Sequence, residues 1–328
     1  MAATHDPAPR ISLVLLAFNQ EATVRAAAES CLMQVGEPLE IVLSDDASTD
    51  GTFAKLQAVA AAYRGPHRVS ARRNPVNLGI GAHYNALIAQ TSGALIVTAA
   101  GDDVSVPHRV QRLVQAWDAT HQRADLIASH FTEMTPDGTL GRVVQTDDLG
   151  ALTLESWAQK TPYTVGATHA FTRRVMDRFG PFIADVWYED RIMVLRALTS
   201  GGAITVKEPL VNYRIGGTSK QPNTHTAEQL LSWTRRQNRR VLAEVHQLTQ
   251  DARLAGHAEI VEASLARTLA REDYLKSMLD APTTGKRWQS ARAARALPLS
   301  WRVRKFLTFS LPGGAAALKR LKAGLRGR

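Results

Sequence analysis

Ile11 to Ala17 (ISLVLLA) is a short apolar run of β-rich composition, and Glu21 to Met33 follows with alanine-rich helical composition. A second run, Leu39 to Leu43 (LEIVL), ends in the polar cluster Ser44 to Gly51, after which Thr52 to Tyr63 again reads as helix. Arg68 to Ala71 continues the series as a strand, Ile80 to Gln90 as a helix, and Ala94 to Ala99 (ALIVTA) as a strand. Short apolar strands alternating with helices predict an α/β fold whose parallel sheet is joined by crossover helices. Gly101-Asp102-Asp103 follows the last of these strands, and Pro107 stands where a first helical turn would begin, opening a helix to about Thr120.

From Asp125 the texture changes. Asp125 to Phe131 reads as a strand, Thr135-Pro-Asp-Gly-Thr139 as a turn, and Tyr163 to Phe171 as extended chain. Trp187 to Leu198 reads as a helix, Ala203 to Val206 and Leu210 to Tyr213 as two short strands, and Arg214 to Thr224 as a loop rich in Gly, Ser, Pro and Asn. Beyond Thr226 the strands stop. Val241, Leu242, Val245 and Leu248 share one helical face, as do Val261, Leu265 and Leu269, so two helices broken near Gly256 are expected. The chain therefore divides into an N-terminal tail (1–9), an α/β domain (10–222), a helical extension (223–285) and a basic tail (286–328).

Charge changes the picture once it is located. The 328 residues carry a net charge of +10. Residues 286–328 hold twelve of the forty Lys and Arg and none of the thirty Asp and Glu, leaving 28 basic against 30 acidic residues in the rest. A near-neutral body with a basic tail suggests a tethering segment rather than a nucleic-acid-binding domain. The single cysteine, Cys31, allows no internal disulfide and no Cys-based zinc site, which makes the reducing cytoplasm the expected compartment. The polar start, Met1 to Arg10, lacks the apolar core of a signal peptide, and no apolar run approaches the roughly 18 residues of a membrane span.

Two acidic clusters stand at the carboxyl ends of predicted strands, where open α/β sheets bind ligands. In Ser44-Asp45-Asp46-Ala47-Ser48-Thr49-Asp50-Gly51-Thr52, Ser48 to Asp50 suit capping of the next helix, but two adjacent carboxylates exceed what a cap requires. Asp102-Asp103 repeats the arrangement. Alone it would read as a turn that caps the Pro107 helix, yet a hard divalent cation bridging a diphosphate often uses only one or two carboxylates. Glu189-Asp190 reads by itself as the acidic start of a helix. His121 and His130 lack metal-ligand spacing, Cys31 reads as packing, and Trp187 reads as a core or rim aromatic. Gly79-Ile-Gly81 is too short for a dinucleotide fingerprint.

Taken in order, Ile11-Ser-Leu-Val-Leu-Leu-Ala-Phe-Asn19, Ser44 to Thr52, Gly101-Asp-Asp103, Glu189-Asp190 and Tyr213-Arg-Ile-Gly-Gly-Thr-Ser219 resemble family 2 glycosyltransferases over about residues 10 to 220. The resemblance implies a GT-A type nucleotide-sugar-binding fold with a mostly parallel central sheet, followed by C-terminal helices. It implies inverting transfer of a sugar from a nucleotide-sugar donor, with UDP favoured, to a glycan or lipid-linked acceptor in cell-surface polysaccharide synthesis. By the same resemblance Ala17 and Phe18 lie beside the base, Asp46 accepts from the base imide N–H, Asp102 touches the ribose, and Asp103 holds Mn²⁺ or Mg²⁺. Asp190 is the implied general base, with Glu189, Tyr84 and Lys220 in support. Three departures stand out. Ala100 replaces a further Asp, His83-Tyr84-Asn85 stands where many relatives carry Arg-Asn, and Gly216-Gly217 stands where a His is common. The phosphate contact is then either lost or supplied by Arg72, Arg73 or Lys220.

In the tail, Leu299, Val303, Phe306 and Leu307 fall near one helical face with Arg302, Arg304 and Lys305 around it, and Leu318, Leu321 and Leu325 repeat the pattern. Apolar stripes flanked by cations suit an anionic lipid interface, so a protein peripheral to the inner face of the plasma membrane is expected. The alternatives are a non-catalytic nucleotide-sugar-binding or membrane scaffold of the same fold, and, last, nucleic-acid binding through the tail. No aromatic platform for single strands is evident there, and no nucleic-acid partner is expected.

Overall fold

In β1 (Ile11–Ala17) every residue but Leu16 is buried, because the strand is covered by helices on both faces. The computed structural model describes residues 10–216 and 226–314. After β1 come α1 (Val24–Leu32), β2 (Glu40–Asp45), α2 (Thr52–Ala62), β3 (Arg68–Arg73), α3 (Ile80–Ile88) and β4 (Leu95–Ala100), which realise the alternation of apolar runs and helices. β5 (Val104–Ser105) and α4 (Arg109–Ala119) follow. Pro107 precedes α4 rather than entering it, and its carbonyl accepts the Val35 N–H at 2.9 Å.

The second half is built from β6 (Leu126–Met134), β7 (Leu140–Val144), α5 (Leu154–Gln159), β8 (Ala170–Thr172), α6 (Arg173–Phe179), α7 (Glu189–Leu198) and β9 (Ala203–Arg214). Two expectations change here. The Tyr163–Phe171 stretch is not extended throughout, because Gly166–Thr168 winds into a 3-10 turn beneath the Thr98 hydroxyl, which lies 2.7 Å from the Gly166 carbonyl. The two short strands at Ala203 and Leu210 are one strand, β9, whose register against β6 shifts beside Pro209. Proline supplies no N–H to the ladder, so the break is local rather than an end.

The sheet runs β3-β2-β1-β4-β8-β6-β9-β5, with β7 on β6. The pairings make β1, β2, β3, β4, β6 and β9 point the same way, and β8, β7 and β5 the other. The central sheet is thus mostly parallel. One apolar core lies on the α1, α2 and α4 side, and the other lies under α3, α6 and α7.

Two long helices close the second core. α8 (Ala227–Ala255) starts in a capping box between Thr226 and Gln229 and stops at Gly256, which sits at φ 80°. α9 (Ala258–Asp280) runs back along it, and α10 (Thr284–Ala293) and α11 (Leu299–Ser310) fold onto its end around Tyr274, Met278, Leu297 and Phe309. Among the described residues no helix is long and apolar enough to cross a membrane.

Candidate active site

The carboxyl ends of β1, β2 and β4 meet. The Asp46 N–H donates to the Ala17 carbonyl at 2.9 Å and the Gly101 N–H to the Leu16 carbonyl at 2.9 Å, so the two acidic turns and the Ala17-Phe18 segment form one rim. Beyond it the loops after β1 and β2 are laced together. Asn19 N–H donates to Ser48 Oγ, Thr49 N–H to Asn19 Oδ1, and Gln20 N–H to Thr52 Oγ1, each at 2.8 Å. Asp50, not Ser48, serves the α2 terminus, accepting the Thr52 N–H at 3.0 Å. A cleft of about 770 Å³ opens between this loop pair, Asp102, Pro136 and the Arg214–Gly216 segment.

Asp46 is buried under three donors: Asn74 Nδ2 at 2.6 Å and Leu78 N–H at 2.9 Å on Oδ1, and Gly79 N–H at 2.9 Å on Oδ2. It therefore pins the β3–α3 loop, and one of its roughly four acceptor positions stays open. Phe18 is 39% exposed at the rim. Arg72 is held by Ser44 Oγ (2.9 Å) and Asn74 Oδ1 (2.6 Å), and Arg73 pairs with buried Asp45 at 3.2 Å. Both arginines are thus engaged by the residues around β2. Lys220 and Gly217 lie outside the described residues.

Asp102 and Asp103 crowd each other in a buried turn. Burial pushes the Asp102 carboxyl up, and burial followed by the Asp102 charge pushes Asp103 up to about 8. Asp103 Oδ1 accepts the Arg214 N–H at 2.8 Å, while Oδ2 is buried with no partner. An unpartnered carboxylate oxygen beside a second carboxylate is a hard donor set, and a divalent cation would relieve both the missing bond and the repulsion. Among the described residues no three His, Cys, Asp or Glu side chains gather into a metal cage, so phosphate or water oxygens would complete such a shell.

Glu189 and Asp190 form the first turn of α7. A helix N-terminus favours negative charge, but burial wins here. Burial, then the Asp190 charge, pushes Glu189 up to about 8, and burial raises Asp190 despite the Arg191 N–H donated to its Oδ1 at 2.8 Å. A Cβ on Gly166 would collide with Glu189 Oε1, so the 3-10 turn hugs the pair because position 166 is glycine.

His83-Tyr84-Asn85 runs from Ser44 in β2 to the segment before α7. His83 Nε2 lies 2.6 Å from Ser44 Oγ, and burial pulls the imidazole down to about 4. Buried Tyr84 has its phenol pushed up by burial first and then by Glu189. Asn85 clamps Phe182 on the segment leading to α7, donating to its carbonyl at 2.8 Å and accepting its N–H at 2.9 Å. Trp187 is covered by the Arg240 guanidinium, 3.4 Å from the ring centroid, so one face is already stacked.

Two residues escape a reading of the sequence. Arg109 is fully buried below the Asp103 turn, donating to the Thr98 and Ala167 carbonyls at 2.7 Å each. Burial brings it down to about 10, and the Tyr84 and Asp103 charges both act on it. Its signal was an arginine on the same helical face as Leu113 and Trp117. Arg214 was visible in the Tyr213-Arg-Ile-Gly-Gly motif, but only the fold carries its Nε to the Asp102 carbonyl at 2.9 Å. The remaining candidates behave as packing. Cys31 is buried and pushed up to about 12 by burial, and His130 bonds Thr146 locally.

Known proteins share this architecture. The "Glycosyl transferase family 2" family model matches residues 12–180. Succinoglycan biosynthesis protein ExoO of Rhizobium meliloti is 29% identical over 221 residues, covering 63% of this chain and 61% of ExoO. Across three curated relatives the chain spans 37%, 68% and 61% of their length. Residues 1–349 of S. aureus TarS, in complex with UDP-GlcNAc, superpose with a TM-score of 0.55 at 15% identity, covering 92% of this chain and 90% of that TarS fragment. The mannosyltransferase PcManGT of Pyrobaculum calidifontis, in complex with GDP-Man and Mn²⁺, gives 0.53 at 17% identity, covering 96% of this chain and 87% of PcManGT. Both neighbours are GT-A glycosyltransferases, and this chain has their fold.

Proposed function

The chain belongs to glycosyl transferase family 2, and we propose that it moves a sugar from a nucleotide-sugar donor, with a UDP-sugar first among candidates, to a glycan or lipid-linked acceptor with inversion. The observation that carries this reading is Asp103 Oδ2, buried without a partner next to Asp102, which lines the cleft. The ligand of PcManGT includes Mn²⁺, and the ligand of TarS is a UDP-sugar, which supports a nucleotide diphosphate and a divalent cation at this rim. The name of ExoO, a succinoglycan biosynthesis protein, supports a place in polysaccharide synthesis.

In this reading the base packs on Ala17 and Phe18 and gives its imide N–H to the remaining acceptor position of Asp46. Asp102 takes the ribose. Asp103 holds Mn²⁺ or Mg²⁺, whose chemistry is to offset the charge growing on the leaving diphosphate. Asp190 accepts the proton of the acceptor hydroxyl as that oxygen attacks the anomeric carbon from the side opposite the diphosphate. Burial makes its carboxylate a stronger base than an exposed aspartate. Burial, then the Asp190 charge, pushes Glu189 up to about 8, and burial raises Asp190 as well, so the two carboxyls titrate as one pair in which loss of the first proton supplies the base. Tyr84 packs between the acid pair and Arg109, and Lys220 remains a candidate for the phosphates.

The test is thermal stabilisation by UDP, GDP, dTDP and CDP, with and without Mn²⁺ or Mg²⁺, on the wild type and Asp103→Ala. A metal-dependent shift with one nucleotide, absent in the variant, supports the donor site and identifies its base. No shift with any saturating nucleotide favours the non-catalytic scaffold.

A further inference from the structure

Leu299, Val303, Leu307 and Leu311 recur every four residues along α11 and its end, and they are 66%, 39%, 49% and 64% exposed. Their spacing makes one slanted apolar stripe about 18 Å long. The opposite side of the helix is already used, since Phe309 is buried in the cluster with Tyr274 and Met278, and Trp301 packs on Tyr274. The stripe is therefore not the inner face of a core helix. It is a second apolar face pointing away from the protein.

Its surroundings narrow the occupant. By helical position the exposed Arg304 flanks the stripe, while Arg302 turns inward and donates to the Ala291 carbonyl at 2.7 Å; residues 286–328 contain no acidic side chain among their twelve cations. A second copy of the same face would bring these cations together, whereas an anionic lipid headgroup layer complements them and accepts the leucines between its chains. Trp288, 49% exposed and edge-on to Phe306 at 5.5 Å, adds an aromatic of the kind that settles at headgroup depth.

We infer that the outward face of α11 is a docking surface for an anionic lipid bilayer, with the helix lying in the interface plane and the Leu299–Leu311 stripe buried among the acyl chains. This surface stands apart from the cleft and does not depend on the proposed transfer reaction.

The experiment uses the full chain with sedimented vesicles of phosphatidylglycerol in phosphatidylcholine, and of phosphatidylcholine alone. The wild type should sediment with the anionic vesicles and not with the neutral ones. Val303→Asp with Leu307→Asp should lower the partition at least tenfold at an unchanged melting temperature, because both positions are exposed. Arg304→Ala should lower it less and make its loss with salt shallower, because one fewer cation is left to screen. Wild-type protein left in the supernatant overturns the inference, as does equal partition of the double variant. A stoichiometric excess of duplex DNA that strips the wild type from vesicles would instead assign the cations to nucleic acid. A dimer lost in the double variant would assign the stripe to a second copy.

Discussion

Arg214 and Asp103, 111 residues apart, are joined by the Arg214 N–H donated to Asp103 Oδ1 at 2.8 Å. The end of β9 thereby orients the carboxylate at the end of β4 and leaves its second oxygen without a partner. The Arg214 guanidinium also holds the Pro136 carbonyl at 2.7 Å, so one residue ties the β6–β7 turn to the cleft.

Asp103→Asn keeps an acceptor for the Arg214 N–H but removes the charge. We expect a folded protein within about 1 kcal/mol of the wild type and a loss of turnover of at least about a hundredfold. Urea unfolding and sugar-transfer rates measured together check both, and unimpaired turnover would remove Asp103 from the metal role.

Asp190→Asn should lower kcat by about 10²- to 10⁴-fold and leave nucleotide binding nearly unchanged, because Asp190 acts on the acceptor. A base must be ionised, and burial raises this carboxyl. The acid limb of the wild-type pH–rate profile should accordingly lie above the ordinary carboxylate range. A profile flat down to pH 4 would assign the proton to another group.

Glu189 provides a stability test with a defined sign. Its folded value of about 8 lies above the unfolded one, so its contribution is complete at low pH and is lost as pH rises from the ordinary carboxylate range through about 8. Glu189→Gln should flatten that slope, leaving the share that Asp103 and Asp190 contribute, and gain on the wild type as pH rises. Urea midpoints at pH 5 and pH 8 for both proteins give the comparison, and parallel curves would refute it.

Arg196 and Asp251 form a fully buried ion pair at 2.7 Å that fastens α7 to α8. Removing either partner leaves a buried charge alone, so Asp251→Ala should cost about 3–5 kcal/mol. Combining it with Arg196→Met should recover part of the loss. Strictly additive losses in the double-mutant cycle would deny the coupling.

Ala47 sits at φ 60° in the turn after β2, a left-handed conformation that disfavours a side chain. Ala47→Gly relieves that strain but adds unfolded-state entropy, for a net gain of up to about 1 kcal/mol. A loss of stability in urea unfolding would count against the strain.

The half of the fold closest to the N-terminus was legible because each parallel strand is a continuous apolar run and each crossover helix has its own composition. The second half was less so. β7, α5 and α6 carry weak local signals, and β8 is three residues whose pairing depends on β4 and β6 lying on either side. Gly256 announced the break between α8 and α9, but nothing around Thr98 announced that its hydroxyl would lie against the Gly166 turn.

The sequence by itself determined the α/β alternation, the acidic turns at the strand ends, the acid pair at the start of α7 and the charge asymmetry of the tail. Each of these is a property of neighbouring residues, set by periodicity, composition or adjacency. Tertiary structure alone decided that Asp46 would be wrapped by the 74–79 loop and that Arg109 would lie buried under Asp103. It alone decided that His83-Tyr84-Asn85 would run from Ser44 to the segment before α7, and that α11 would turn a second apolar face outward. Those facts depend on burial and on partners tens of residues away, and the energy of a charge or a leucine is fixed only once the fold has chosen its surroundings.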